Sequence, residues 1–407
     1  MRQINDIRAA LVDGSAVILT ASELKKRIAQ GDTVSDVDVV TCGTCGVMSG
    51  TYAVLSVPVA PPGTFSRADT ISLQGVPAIP GPCPNERLGL VDLMVFGTAH
   101  ADDRYGGGHL FHDLIAGKEI HVAVTSAGKD YEADVTLSDL PFARLFSTRS
   151  AFKNYSAIIN RAGEPEKTIF SALPLQGTST QATVSGCGEI NPVENDPTLR
   201  FLSSGTPVIV NGAGGRVVGT GTRSSTERPN LSVHADLKEM DAQFCGGFLT
   251  AAGPECITSI GTAIPVVDTD VLTSLSVRDC DIAMPVVDIS DRQPVGTASY
   301  DQVWTSTATR VLYHPQRCLH CTPCDARTSC PVDAIREDGT INQIQCFVCG
   351  TCVQICKGSS YEGNFGSIRS DRDGSGIPIV LRQSDRRRAE ILCRRVRDML
   401  VRGEFQI

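Results

Sequence analysis

The sequence predicts a mixed α/β, strand-rich large domain, followed by a small cysteine-rich domain and a final helix. Three observations support this prediction. Short runs of Val, Ile and Thr, broken by glycine turns, recur through the first 300 or so residues, which is typical of strands. Helical periodicity of apolar residues is found near both ends of the chain. Eight of the 16 cysteines are concentrated between Cys318 and Cys356.

The individual elements are predicted in chain order. Helices are expected at residues 6–14 and 21–30, and Thr20 and Glu23 have the spacing of a capping box for the second helix. Apolar runs predict strands at residues 16–19, 37–40, 207–210, 216–218 and 264–267. A final helix is expected from Asp385 to about Arg402. Its arginines form either a solvated face or a surface that docks against the acidic body of the protein or a partner.

Composition and charge restrict the classes of function. The formal charge of −8 disfavours nucleic acid as a partner, because nucleic-acid binders are usually basic. No stretch approaches the roughly 18 apolar residues of a membrane helix, and the N-terminus lacks a signal-peptide pattern. We therefore expect a cytoplasmic protein without membrane contact, whose cysteines are thiols or metal ligands. The expected domains are residues 1–300, 308–360 and 361–407.

Two cysteine runs give the most specific signal in the chain. The first has the pattern C-x2-C-x2-C-x5-C-P from residue 318, and the second has the pattern C-x2-C-x2-C-x3-C from residue 346. Three thiolates two residues apart bind three corners of a [4Fe–4S] cube, and the fourth cysteine of each run binds the other cube. This pattern resembles the bacterial two-cluster ferredoxin fold. The predicted ligands are a first quartet of Cys318, Cys321, Cys324 and Cys356, and a second quartet of Cys346, Cys349, Cys352 and Cys330.

One feature of this α+β ferredoxin-like domain departs from the usual spacing. The gap before Cys330 is five residues, where three is usual, so the loop at residues 325–329 is longer. Zinc binding by the same cysteines is the alternative, but zinc sites do not usually come as two interleaved sets of four. Such clusters move single electrons, so the large domain has to supply the chemistry on a substrate.

Several phrases of the large domain are specific, at residues 38–48, 105–109, 113–118, 195–197 and 236–240. Together they resemble the homocysteine biosynthesis family, the L-aspartate semialdehyde sulfurtransferases of anaerobes, and the Tyr-Gly-Gly-Gly-His phrase is the best single match. With the cysteine runs and residues 378–387, the chain resembles the methanogenesis marker 16 metalloprotein branch of that family. The resemblance implies, in a methanogenic archaeon, transfer of sulfide-derived sulfur to aspartate semialdehyde and reduction to homocysteine.

The resemblance also implies two reactive cysteines, but this sequence has Ser49 and Tyr131 at the corresponding positions. We therefore take other cysteines as catalytic candidates. Cys42 and Cys45 form a Cys-x-x-Cys pair that we expect in a glycine-exposed loop at a strand end, where it would carry sulfur. Cys187 lies in a Ser-Gly-Cys-Gly turn and is a third candidate. The alternative for the pair is two small buried residues beside a glycine turn.

The triple-glycine phrase predicts a ligand contact. Gly106, Gly107 and Gly108 would let the backbone approach an anionic ligand, and His109 would act as a general acid or base. A turn that only reverses the chain is the alternative. Of the other cysteines, Cys83 and Cys245 are weaker candidates, and Cys256 and Cys280 are expected in the core. A hypothetical third metal or sulfur site would combine Cys42, Cys45, Cys83 and Cys187.

Two functions of different classes follow. The first is an enzyme with two [4Fe–4S] clusters that transfers sulfur reductively to a small carbonyl acid such as aspartate semialdehyde. The second is a non-enzymatic carrier of sulfur, electrons or clusters that matures a methanogenesis enzyme or cofactor. The expected partners are a small carbonyl substrate, a sulfur donor and an electron-donor protein, with no nucleic acid and no membrane. We also expect a homo-oligomer.

Overall fold

The computed structural model describes residues 2–81, 86–153, 156–305, 310–369 and 374–407. Cys83, one of the weaker candidates, lies outside the described residues. Strands outnumber helices and form large sheets, which confirms the mixed α/β, strand-rich prediction. No helix in these ranges is long and apolar enough to cross a membrane.

The helix predicted at residues 21–30 begins where the sequence indicates. The predicted capping box forms, since the Glu23 amide donates to Thr20 Oγ1 at 3.2 Å and the Thr20 amide donates to the Glu23 carboxylate at 2.8 Å. In the described ranges the α-helices are α1 (Ile4–Asp13), α2 (Ala21–Ala29), α3 (Gly107–Ile115), α4 (Pro192–Asn195), α5 (Thr269–Leu275), α6 (Asp325–Thr328), α7 (Thr351–Ile355) and α8 (Arg386–Val401).

The strands hold more of the described residues than the helices do. In the same ranges the strands are β1 (Ile18–Thr20), β2 (Val39–Val47), β3 (Thr51–Pro58), β4 (Thr70–Leu73), β5 (Val76–Pro80), β6 (Leu90–Phe96), β7 (Ile120–Ser126), β8 (Lys129–Val135), β9 (Phe142–Phe152), β10 (Ala157–Ile159), β11 (Ala182–Val184), β12 (Pro207–Val210), β13 (Ala213–Thr220), β14 (Asn230–Asp236), β15 (Gly246–Thr250), β16 (Gly253–Pro265), β17 (Ala283–Asp288), β18 (Pro294–Ser299), β19 (Leu312–Tyr313), β20 (Tyr361–Glu362), β21 (Ser367–Arg369) and β22 (Gly376–Arg382).

In the main sheet, strand β16 pairs both with β15 and with β2. Its strand order is β1-β2-β16-β12-β13-β14-β9-β3-β6-β5-β4-β7-β8, and β15 pairs with β16 beside this path. The first residues of β16 form a hairpin with β15, and the rest of β16 pairs antiparallel with β2. The hairpin is therefore held at one end of a long strand whose other end lies in the core.

A second sheet, of order β18-β17-β10-β11-β22-β21, combines strands that are distant in sequence. Strand β22, from the segment predicted as a tail, pairs parallel with β11, from the predicted large domain. These two segments therefore share one sheet, and the three-domain division remains a prediction. Strands β19 and β20 pair antiparallel and bring together the two ends of the cysteine segment, residues 318–356.

Helix α8 lies across β2 and β16, and its apolar face joins the core there. The solvated-face interpretation is wrong for its first turn, where Arg386 and Arg388 are buried. Arg386 forms ion pairs with Glu189, at 2.9 Å, and with Asp279. Arg388 donates to the Gln345 carbonyl oxygen at 2.7 Å. The first turn of α8 thus docks against acidic groups of the body and against the cysteine segment.

Candidate functional site

The second quartet surrounds a small cavity. Its four cysteines line this cavity together with mainly apolar side chains of the same segment. In a [4Fe–4S] cube each cysteine binds a different iron, so the four sulfurs surround a volume and do not meet at one point. Accordingly, the described residues contain no group of three or more His, Cys, Asp or Glu side chains arranged for a single metal ion. The donor set fits the predicted cluster.

Backbone amides point at the sulfurs of this quartet. The Ala334 amide donates to Cys330 Sγ at 3.3 Å, and the Val348 amide donates to Cys346 Sγ at 3.4 Å. Amide hydrogen bonds stabilise thiolate charge and set the potential of an iron–sulfur cluster. This second observation also fits a cluster bound by these residues, although its presence remains a prediction.

The first quartet lies closer to solvent than the second. Cys321 is exposed, and Cys318, Cys324 and Cys356 are half-buried. The Ser360 amide donates to Cys356 Sγ at 3.4 Å, so the amide-to-sulfur pattern recurs here. A cluster on the first quartet would therefore lie at the surface, and one on the second quartet would lie in the interior.

A cleft of about 750 Å³ lies between the cysteine segment and the region where α3 meets β15. One wall carries His109 and Asp113, and the β15 end contributes Cys245 and Gly247. The facing wall comes from residues adjacent to the second quartet, namely Val332, Asp333, Asn342, Ile344 and Gln345. The cleft thus joins the best-matching phrase of the large domain to the predicted interior cluster.

Specific contacts hold the two walls in register. The Leu249 amide donates to the Pro331 carbonyl oxygen at 2.9 Å, directly after Cys330. Phe248 and Phe347 pack edge to face with their ring centroids 5.1 Å apart, and Phe347 follows Cys346 in the chain. Strand β15 therefore touches the segment beside two cysteines of the second quartet.

His109 presents an unused hydrogen-bond donor at this site. Its Nδ1 accepts from the Gly106 amide at 3.2 Å, so in this pattern a neutral ring carries its proton on Nε2. Among the described residues Nε2 is buried and has no hydrogen-bond partner. Burial lowers the pKa of His109 and keeps the ring neutral at physiological pH. His109 is thus suited to donate a hydrogen bond to a ligand in the cleft.

The three glycines before His109 have a packing role. The Gly107 and Gly108 amides donate to the carbonyl oxygens of Ala99 and Gly97, at 2.8 and 3.0 Å. A Cβ added at Gly108 would lie 2.8 Å from backbone oxygens of the β15–β16 hairpin. The glycines therefore let α3 begin in direct contact with that hairpin. Their contact with a ligand remains a prediction.

A hydrogen-bonded network surrounds Asp113 on the same wall. Tyr105 Oη donates to its carboxylate at 3.0 Å, and Lys118 Nζ lies 2.8 Å from it. Burial alone would raise the pKa of Asp113, but hydrogen bonds from His112, Lys118 and Tyr105 bring it down to about 2. The cleft therefore has a fixed negative charge next to a lysine.

The three candidate cysteines of the sequence lie elsewhere. Cys42 and Cys45 are in the middle of β2 and fully buried, so the expected exposed loop at a strand end is wrong. Because side chains alternate along a strand, residues three apart point to opposite faces and cannot act as a chelating pair. Cys187 lies near Cys45, with its Sγ 3.7 Å from the Cys45 carbonyl oxygen. His109 lines the cleft, and none of these three cysteines does.

Burial also sets the protonation state of these thiols. It raises the pKa of Cys42 to about 12 and that of Cys187 to about 11, and it raises the pKa of Cys45 well above the usual value. All three are therefore protonated at neutral pH, and none of them lines the cleft. Their catalytic role remains a prediction without support from the geometry.

The sequence interpretation missed one buried charged residue, and it took a cysteine of the cleft as only a weak candidate. Lys25 on α2 is buried; its ammonium donates to Asn195 Oδ1 at 3.1 Å and to the Leu275 carbonyl oxygen, and burial lowers its pKa to about 8. No local signal distinguishes it. Cys245, only a weak candidate, lines the cleft, and the signal for it was the following Gly-Gly. Cys280, expected in the core, is exposed, whereas Cys256 is buried as expected.

A family model described as a homocysteine biosynthesis enzyme for sulfur incorporation matches residues 16–407 of the chain. The chain belongs to the homocysteine biosynthesis family. This confirms the resemblance drawn from the sequence phrases and assigns the protein to sulfur metabolism. The matched range includes the cysteine segment as well as the α3 and β15 walls of the cleft.

Relatives within the homocysteine biosynthesis family fall into two groups. An uncharacterized protein of Methanothermobacter thermautotrophicus is 43% identical over 99% of this chain and 94% of its own length. An uncharacterized protein of Methanocaldococcus jannaschii is 39% identical over 96% and 98%. The L-aspartate semialdehyde sulfurtransferase of Methanosarcina acetivorans is 30% identical over 70% of this chain and 58% of its own length. No solved structure matches the chain.

Proposed function

We propose that this protein is an iron–sulfur enzyme that transfers sulfur reductively to a small carbonyl acid such as aspartate semialdehyde, giving homocysteine. The overall reaction balances as R–CHO + H₂S + 2 e⁻ + 2 H⁺ → R–CH₂–SH + H₂O. A low-potential one-electron donor protein is the proposed source of electrons. Two [4Fe–4S] clusters, when bound to the two quartets, would supply these electrons singly.

The cleft is the observation that carries this proposal. His109 lines one wall, and the facing wall comes from residues adjacent to Cys330 and Cys346 of the second quartet. A reductive reaction needs a substrate site beside the electron source, and a carbonyl substrate needs a donor at its oxygen. The arrangement supports both requirements, and the family supports the sulfur chemistry.

The residues of the cleft have distinct proposed roles. His109 Nε2–H donates to the carbonyl oxygen, where negative charge develops as sulfur attacks the carbon. Asp113, ionised at neutral pH, and Lys118 present opposite charges that suit the ammonium and carboxylate groups of an amino acid.

The direct test uses the anaerobically purified full-length protein with aspartate semialdehyde, sulfide and a strong low-potential reductant. We expect homocysteine to form, about eight irons per chain from two cubes, and loss of product with His109→Ala at unchanged iron content. Absence of homocysteine from iron-replete protein would rule the proposal out. Product formation by His109→Ala at the wild-type rate would remove His109 from it.

One observation favours the alternative of a non-enzymatic carrier or maturation factor. Ser49 and Tyr131 occupy the positions where the resemblance implies reactive cysteines, so this chain lacks those thiols. Under this alternative the quartets and thiols hold electrons, sulfur or a cluster for delivery to a methanogenesis enzyme. Stable co-purification with such an enzyme, together with failure of the homocysteine assay, is the result that this alternative requires.

A further inference from the structure

We propose that Cys245 and Cys256 act as a sulfur-carrying pair at the inner end of the cleft, in which Cys245 holds a persulfide and Cys256 releases it. This inference rests on the proposed function and names the thiols that would serve it. Cys245 is 2% exposed yet lines the cleft, and Cys256 lies fully buried behind it on β16. Nothing in the spacing of these two cysteines marks them as a pair.

The strand register brings the two thiols together. Cys256 is the cross-strand partner of Gly247 in the antiparallel β15–β16 hairpin. Cys245 has an extended backbone immediately before β15, so its side chain points to the same face as position 247. Cys256 and Cys245 are therefore diagonal neighbours on one face of the hairpin. The neighbouring Cys256 thiol and burial together raise the pKa of Cys245, as expected for two thiols that lie close on one face.

His109 completes this face. A Cβ at Gly247 would lie 2.2 Å from the His109 ring, so the imidazole occupies the space that a side chain at 247 would fill. Cys245, His109 and Cys256 therefore converge on the same side of β15. A sulfur atom released from Cys245 appears beside the free Nε2–H that would hold the carbonyl oxygen of a substrate.

The loading step is a sulfur exchange with a small polysulfide, written for the simplest donor as Cys245–SH + HS–S⁻ → Cys245–S–SH + HS⁻. The new bond forms at Cys245 Sγ, the S–S bond of the donor breaks, and hydrosulfide leaves. No electrons are gained or lost overall. The thiol is almost fully enclosed, which favours a donor of this size over a protein partner.

The release step uses the second thiol: Cys245–S–SH + Cys256–SH → Cys245–S–S–Cys256 + H₂S. The terminal sulfur gains two electrons and leaves as sulfide, while the two cysteine sulfurs are oxidised to a disulfide. Two electrons, passed singly from the low-potential donor protein, and two protons from water then return the pair to thiols. The neighbouring cysteine segment makes this position accessible to such reduction.

The test needs neither a carbonyl substrate nor an electron donor. Anaerobic full-length protein with its clusters is treated with inorganic polysulfide, freed of excess reagent, alkylated, and mapped by peptide mass spectrometry. We expect one additional sulfur atom on Cys245 in protein that is alkylated at once. In protein that is incubated before alkylation, we expect the Cys245–Cys256 disulfide in its place, with release of sulfide. Cys256→Ala should keep the persulfide and lose the sulfide release, and Cys245→Ala should lose both.

Cys393→Ala is the matched control, because Cys393 is equally buried but lies on α8 against Gly43. It should load and release sulfur as the wild type does. Additional sulfur found only on other cysteines of the wild-type protein, or full sulfide release from Cys256→Ala, overturns the inference. Homocysteine formation without sulfur on Cys245 would contradict the role of the cysteine pair and leave the proposed function intact. Sulfur loading on Cys245 without homocysteine formation would contradict the proposed function and leave the role of the pair intact.

Discussion

Two groups of thiols on or beside the main sheet have similar burial but different surroundings. Cys42, Cys45 and Cys187 are 0% exposed and lie within one apolar cluster away from the cleft. Cys245 and Cys256 are 2% and 0% exposed, but Cys245 lines the cleft beside His109. Burial by itself therefore does not distinguish the two groups. They differ because, of these five thiols, only Cys245 lines the cleft, where His109 also lies.

The comparison also shows why a short motif misleads here. The Cys-x-x-Cys pair lies within a strand, where the period of two directs its members to opposite faces. The pair on β15 and β16 has no motif, but the antiparallel register places both thiols on one face. Spacing along the chain predicts reactivity only when the local backbone conformation is known.

The largest expected effect concerns the cleft side of this comparison. Gly247→Ala places a Cβ 2.2 Å from the His109 ring and must displace it, whereas Gly246→Ala meets no atom closer than 3.7 Å. Because His109 is the proposed hydrogen-bond donor to the carbonyl oxygen, Gly247→Ala should lower kcat for homocysteine formation by about 100-fold. Gly246→Ala is the matched control and should stay within about twofold of the wild type, as expected for a site where a methyl group fits.

Equal rates for the two glycine variants would contradict this assignment. Circular dichroism and iron content establish whether both variants fold and load clusters. A loss of activity in Gly247→Ala without a loss of iron would support an effect on His109 itself.

The second-largest expected effect concerns the buried side chain of Lys25. Its pKa is lowered to about 8 in the folded protein, against 10.5 when exposed. Between these values the unfolded chain binds more protons than the folded one, so stability rises with pH by at most about 1.4 kcal/mol per pH unit. The wild type should therefore gain thermal stability relative to Lys25→Met as the pH rises from 8 to 10.5. Parallel curves of Tm against pH would show that the pKa of Lys25 is not lowered by folding and that the residue stays protonated in the folded protein across this range.

A third effect separates the two thiol groups directly. Cys42→Ala and Cys187→Ala remove sulfurs from a packed interior, so each should lower the stability by about 1–2 kcal/mol through cavity formation. Because both lie away from the cleft, homocysteine formation at a permissive temperature should remain near the wild-type rate. A large loss of rate in either stable variant would return these residues to the catalytic set and break the comparison.

The smallest effect concerns an ion pair across the cleft. Arg104 and Asp333 lie 2.9 Å apart, both more than half exposed, and join the two walls. Arg104→Ala should cost less than about 1 kcal/mol and change KM slightly, and salt should reduce the difference. Arg27→Ala, which removes the exposed pair with Asp36 outside the cleft, is the control and should leave KM unchanged. A large change in kcat for Arg104→Ala would indicate a role beyond holding the walls.

Local patterns were sufficient for much of the fold. The capping box at Thr20 and Glu23, the strand Pro207–Val210 and the helix Arg386–Val401 follow from short-range propensity and periodicity. The cysteine spacing likewise pointed to two quartets, and four of its members line one cavity. The phrases around His109 identified the family without coordinates.

The glycines near Cys42 and Cys45 show where local interpretation failed. They suggested an exposed loop, but a Cβ at Gly43 would lie 2.6 Å from the Ala389 carbonyl oxygen on α8. Glycine in a strand marks the close approach of another backbone as readily as a turn. The sequence does not contain the position of α8, so it could not distinguish the two.

The sequence by itself determined the family, the strand-rich α/β class and the grouping of eight cysteines, because each depends on residues close together in the chain. Only the tertiary structure decided which thiols are accessible to chemistry. His109, Cys245 and Asp333 belong to three distant segments, and they meet because α3 packs on the β15–β16 hairpin, which in turn contacts the cysteine segment. That meeting depends on strand register and on close packing of backbone at glycines, which periodicity does not encode.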